Sequence, residues 1–98
     1  MGEKPKPEAR LHAVVQGRVQ GVNFRYYTIR TARRLGLTGW VANRWDGTVE
    51  TVAEGQREQL NKFLAFLHRG SPSSVVQRVD AEWETPSGKF DRFGVRYL

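Results

Sequence analysis

Residues 11–36 read LHAVVQGRVQGVNFRYYTIRTARRLG, and their periodicity changes within that short span. From residue 11 to 16 the pattern alternates: Leu11, Ala13 and Val15 face one way and His12, Val14 and Gln16 the other, as in a half-buried strand. Residues 17–21 break the alternation with glycines at both ends. From Phe24 onward, Phe24, Thr28, Ala32 and Leu35 recur at helical spacing, and Gly36 follows where a left-handed C-terminal cap would sit. The stretch therefore predicts strand, loop, helix.

Working outward, a short strand is expected at 38–42 around Trp40, and Val49, Thr51 and Ala53 alternate in another. Between them Asn43-Arg44-Trp45-Asp46-Gly47 carries an Asp-Gly pair suited to a tight reversal, so the two strands form a hairpin. Leu60, Phe63, Leu64 and Leu67 at i, i+3, i+4 and i+7 mark a second helix with a core-facing side, ended by Gly70-Ser71-Pro72. Alternation resumes through Val79, Ala81 and Trp83, and again through Phe93, Val95 and Tyr97. The order is β-α-β-β-α-β with an extra terminal strand. That is the α+β, ferredoxin-like split βαβ plan, an antiparallel sheet of four to five strands with two helices on one face. Residues 1–10, with two prolines and four charged residues before Arg10, are expected to be a disordered tail, leaving 11–98 as the single domain.

The 98-residue chain fits one small core. Having no cysteine, it excludes disulfide scaffolds, thiolate zinc sites and cysteine nucleophiles. No apolar run approaches the roughly 20 residues that span a bilayer, and the N-terminus lacks the apolar core of a signal peptide, so a soluble cytoplasmic protein is expected. A net charge of +6 raises the local concentration of anions, small phosphates or nucleic acid alike.

A glycine-containing turn that leads into a helix can aim several backbone N–H groups at one anion, with the positive end of the helix dipole behind them. Arg25, in the first helical turn, could then close its planar fork over two phosphate oxygens. The spacing alone equally allows Gly17 and Gly21 to be turn glycines and Arg25 to be solvated. No Gly-Lys-Ser/Thr follows, and the glycine triplet of a dinucleotide fingerprint is absent.

Two blocks in order and spacing carry a family resemblance: Gly17, Val19, Gly21, Val22, Phe24 and Arg25 in GRVQGVNFR, then Gly39, Trp40, Val41, Asn43, Asp46, Gly47, Val49 and Glu50 in GWVANRWDGTVE. Together they resemble the acylphosphatases, enzymes that hydrolyse carboxyl-phosphate mixed anhydrides, over about residues 11–97. The resemblance implies a phosphate-binding loop at Gly17, Arg18, Val19, Gln20, Gly21 and Val22, with catalytic roles for Arg25, which binds the phosphate, and Asn43, which positions the attacking water. It implies the same split βαβ fold. Asn23 is expected to cap the helix start, without a catalytic role.

Residue chemistry adds what the site lacks. Phosphatases with a cysteine-x5-arginine loop place their nucleophile six residues before the arginine; here that position is Val19, so water must attack directly. An acyl phosphate suits such a site because its carboxylate leaving group needs no general acid. No carboxylate cluster signals a metal, so neither metal nor other cofactor is expected. The expected partners are a small-molecule acyl phosphate and inorganic phosphate, with a monomeric protein and neither nucleic acid nor membrane.

Two other classes are open to a basic split βαβ chain. An RNA-binding module would stack bases on aromatics of a central strand, but residues 48–54, TVETVAE, hold two acids and no aromatic. A carbamoyl-phosphate-handling or regulatory domain occurs at the start of larger chains that continue into cysteine-rich zinc segments, which this chain lacks. His12 and His68 are isolated and are left outside the site. Trp40 and Trp83 are expected in the core or on the sheet surface, Tyr26 and Tyr27 in packing, Asp46 and Gly47 in the turn. Trp45 is expected to be partly exposed, where it could flank an acyl group.

Overall fold

The computed structural model describes residues 6–98. Alternation at 11–16 becomes strand β1 (Ala9–Arg18), which buries Leu11, Ala13 and Val15 completely and leaves His12 and Val14 half-buried on the opposite face. β1 begins two residues earlier than the sequence predicts. Ala9 pairs with Gly55, the Glu8 amide donates to the Gly55 carbonyl at 3.0 Å, and the Glu8 carboxylate accepts from the Arg57 amide at 2.9 Å. Ladder and cap bonds hold Glu8–Arg10 against the domain; residues 1–5 of the expected tail lie outside the described residues.

Helix α1 (Phe24–Arg34) buries Phe24, Thr28 and Ala32, and Gly36 follows its C-cap at φ +71°. β2 (Thr38–Asn43) and β3 (Val49–Gly55) form the expected hairpin. In the turn, Asp46 accepts from both the amide (3.1 Å) and the hydroxyl (2.6 Å) of Thr48. Those bonds hold its carboxyl below the usual range. Helix α2 (Arg57–Arg69) buries Leu60, Phe63, Phe66 and Leu67. Phe66 replaces the expected Leu64, which is half-buried: it sits three residues after Phe63 and meets Phe24 at a ring separation of 6.1 Å.

β4 (Val75–Glu84) keeps the expected alternation in its register, with Val79, Ala81 and Trp83 opposite Val15, Ala13 and Leu11. It lies at the sheet edge, however, and Ala81 and Trp83 are exposed; the Arg57 guanidinium stacks 3.6 Å from the Trp83 ring. The strand order is β4-β1-β3-β2-β5, where β5 is Phe93–Val95.

One pair departs from the expected antiparallel sheet: β5 runs parallel to β2. Alternating strand directions explain it. β4 ends at the end of the sheet where β2 starts, and residues 85–92 cross along that end, so the next strand must run the same way as β2. A buried carboxylate anchors the crossing. Glu54 accepts from the Ser87 amide at 2.7 Å, the Ser87 hydroxyl at 3.0 Å and the Gly88 amide at 2.9 Å, with Arg10 at 3.3 Å. Both helices cover one face. Phe24, Phe63 and Phe93 fill the core between them and the sheet, each worth about 2–3 kcal/mol of burial.

Candidate active site

Strand β1 bulges at Gly17 and ends at Arg18. The register against β4 shifts between Gln16 and Gly17, where φ is +131° and a Cβ would lie 2.1 Å from the Val75 carbonyl oxygen. Only glycine permits that approach. The chain then curls through two left-handed residues, Gly21 at φ +72° and Asn23 at φ +60°, before α1 begins.

Among the described residues, no backbone carbonyl accepts from the amides of residues 19–23; the Tyr27 amide, bound to the Asn23 carbonyl at 3.1 Å, begins the helical ladder. The expected Asn23 cap does not form. In its left-handed conformation the side chain makes no cap bond and lines the cavity beneath, leaving the helix amides open. The first turn of α1 holds no acidic residue to offset the dipole. Free N–H groups and the positive end of a helix thus meet at one place.

That place is a cavity of about 310 Å³. Val19, Gly21, Asn23 and Phe24 form its floor and one side. Arg25 and Tyr26 enter from the first turn of α1, Asn43 from the end of β2, and Val95 and Tyr97 from the C-terminal strand and the residues after it. Arg25 is half-buried and, among the described residues, pairs with no carboxylate. The Asn43 side-chain oxygen is buried and has no hydrogen-bond partner among the described residues. A buried acceptor without a partner is destabilising unless a ligand or water supplies a donor.

Of the sequence-predicted residues, Arg25, Asn43, Val19 and Gly21 therefore line one cavity. Gly17 and Arg18 lie in β1, paired with β4, and Arg18 is exposed. Gln20 turns its side chain away: one amide nitrogen donates to the Arg44 carbonyl at 2.7 Å and the Thr48 carbonyl at 2.8 Å, fastening the loop to the turn that follows Asn43. Val22 offers its carbonyl to the Ser71 hydroxyl at 3.1 Å. The bracing by Ser71 and the lining by Val95 and Tyr97 escaped the sequence reading. Their signals were there in Gly70-Ser71-Pro72 and in the last alternating positions, but as marks of secondary structure.

No Asp, Glu, His or Cys lines the cavity among the described residues. Among those residues, the side chains that could gather around a metal are His12, Glu82 and Glu84, on the opposite face of the sheet. There His12 already contacts Glu50 at 2.6 Å, and Glu84 pairs with Arg10 at 3.1 Å. The cavity can thus hold an anion through neutral amides and one guanidinium, with an orphan acceptor beside it.

The family model described as Acylphosphatase matches residues 11–95. A protein named acylphosphatase from Syntrophotalea carbinolica is 50% identical over 90% of this chain and 96% of its own length. One of the same name from Trichormus variabilis is 53% identical over 81% of this chain and 78% of its own. The crystal structure of acylphosphatase from Bacillus subtilis superimposes with a TM-score of 0.88 at 38% identity, covering 91% of this chain and 99% of that one.

Proposed function

The chain belongs to the acylphosphatase family, and we propose that it splits acyl phosphates into carboxylate and inorganic phosphate by direct attack of water. The observation that carries this reading is that, among the described residues, Arg25 has no ion-pair partner, the amides of residues 19–23 have no carbonyl partner, and the cavity they face also receives the buried Asn43 oxygen without a partner. The amides of residues 19–23 and the Arg25 fork hold the phosphoryl oxygens and offset the charge of the transition state. Asn43 accepts a hydrogen bond from the attacking water and aligns it. Loss of phosphate from the carboxylate requires no proton donor, and the cavity walls offer none of the usual carboxyl or imidazole groups.

The reading includes turnover without added metal, in keeping with a cavity that no Asp, Glu, His or Cys lines among the described residues. It also takes the protein as a monomer acting in the cytoplasm on a dissolved small molecule, in keeping with described residues that include no helix long and apolar enough to cross a membrane. Carbamoyl phosphate is itself an acyl phosphate and falls within the substrate class. RNA binding is disfavoured by the open face of the sheet, where Glu50, Asp80, Glu82 and Glu84 would confront a phosphate backbone.

Benzoyl phosphate in the presence of a chelator tests the assignment. The protein should hydrolyse it, with inorganic phosphate as a competitive inhibitor, and Arg25→Ala should lose on the order of 10³-fold in kcat/KM while remaining folded. Near-parental turnover by Arg25→Ala would overturn the reading.

A further inference from the structure

The phosphoryl oxygens need only part of the cavity, and three exposed apolar or aromatic side chains also line it. Tyr26 is 60% exposed, Val95 41% and Tyr97 82%, and all three line the cavity with Arg25 and Asn43. Large side chains left this open beside a binding site offer surface for a ligand to cover. Tyr26 meets the ring of half-buried Tyr27 edge to face at 5.3 Å. Arg96, between Val95 and Tyr97, stacks over Trp40 at 4.5 Å on the other face of the sheet. Strand alternation then turns Val95 toward the cavity, and Tyr97, two residues beyond the strand, lines it as well. Trp45, although 94% exposed, does not line it.

We propose that Tyr26, Val95 and Tyr97 form the acyl subsite, and that it selects apolar, preferentially aromatic, acyl groups over small ones. The inference rests on the hydrolase reading above. An acyl group leaving a phosphate held by the loop and Arg25 emerges at this wall. Two tyrosine rings can pack against an aryl group with little loss of side-chain freedom. An acetyl group is too small to cover them.

The test is the ratio of kcat/KM for benzoyl phosphate to that for acetyl phosphate, compared between the parent and a Tyr26→Ala, Tyr97→Ala double variant. Taking the variant against the parent cancels the difference in intrinsic reactivity. The ratio should fall about tenfold, as expected for losing a few tens of Å² of aryl contact. Trp45→Ala should leave the ratio where it is in the parent. An unchanged ratio in the double variant, or a fall with Trp45→Ala instead, overturns the subsite.

Binding of unreactive analogues provides a second readout. Benzylphosphonate should bind the parent about tenfold more tightly than methylphosphonate, and the double variant should lose that preference. A parent that hydrolyses acetyl phosphate and binds inorganic phosphate, yet binds the two phosphonates equally, overturns the subsite alone. One that binds neither phosphate nor phosphonate overturns the hydrolase reading with it.

Discussion

Asn43 and Glu54 sit at opposite ends of the same hairpin, one at the end of β2 and the other near the end of β3, and their surroundings are reversed. Glu54 is buried with three hydrogen bonds from Ser87 and Gly88 and an ion pair to Arg10. Asn43 has a buried oxygen and, among the described residues, no partner for it. Similar exclusion from water serves two ends. A saturated group fixes the chain around it, because every partner would be orphaned by its loss. An unsaturated one reserves its bond for something that arrives. The contrast extends to the cations: Arg10 pairs with Glu54 and Glu84, whereas Arg25 has no ion-pair partner among the described residues.

Replacing Asn43 by alanine gives the largest effect that would sharpen this contrast. Loss of one preorganised polar group at a transition state commonly lowers kcat by about 10²–10³-fold. Stability should hold or rise slightly, since an orphaned acceptor is removed. Steady-state kinetics with a thermal melt on the same sample decide it. A variant that loses stability along with activity would make Asn43 another structural residue and dissolve the comparison.

Glu54→Ala should do the opposite. It leaves two amides and Arg10 without their carboxylate, a loss of about 3 kcal/mol read from urea unfolding. Acid should act in the same direction. Burial pushes the Glu54 carboxyl upward, but the Ser87 and Gly88 amides, the Ser87 hydroxyl and Arg10 outweigh it, so its folded pKa lies below the ordinary value of 4.5. A depressed carboxyl contributes stability that is complete above that value and disappears as pH falls through the folded pKa. Urea unfolding across that window should therefore show a steeper acid loss in the parent than in Glu54→Gln. Equal slopes would remove Glu54 from the account.

What the sequence disclosed about this contrast was uneven, for a physical reason. Local periodicity exposed the helices, the hairpin and the strand–loop–helix entry, because a face buried at period 2 or 3.6 is written into neighbouring residues. The two-block motif pointed to Arg25 and Asn43, which the fold brings to one cavity. Contacts set by chain topology were invisible. The parallel β5 depends on where β4 ends, and the saturation of Glu54 depends on a loop more than thirty residues away. The sequence left Trp83 open between the core and the sheet surface; its exposure follows from its strand lying at an edge. Asn23 misled for a local reason: asparagine tolerates the left-handed region as readily as it caps, and the loop used the former.

Gln20 joins the two ends of the argument, and its replacement is the smallest of these effects. It lay in the predicted phosphate loop, yet its nitrogen donates to two carbonyls 24 and 28 residues away that flank the turn beyond Asn43. It is thus a positioning residue, a saturated group that sets the spacing between unsaturated ones. Gln20→Ala should lower kcat about tenfold, because a shift well under 1 Å between the phosphate and the aligned water already costs rate. Inhibition by inorganic phosphate should change much less, since the loop amides and Arg25 stay in place. Gln20→Glu, which keeps the length but cannot donate, should be no better than alanine. A loss of phosphate affinity equal to the loss of kcat would show instead that Gln20 shapes the loop alone, and the hairpin would then hold Asn43 in register without it.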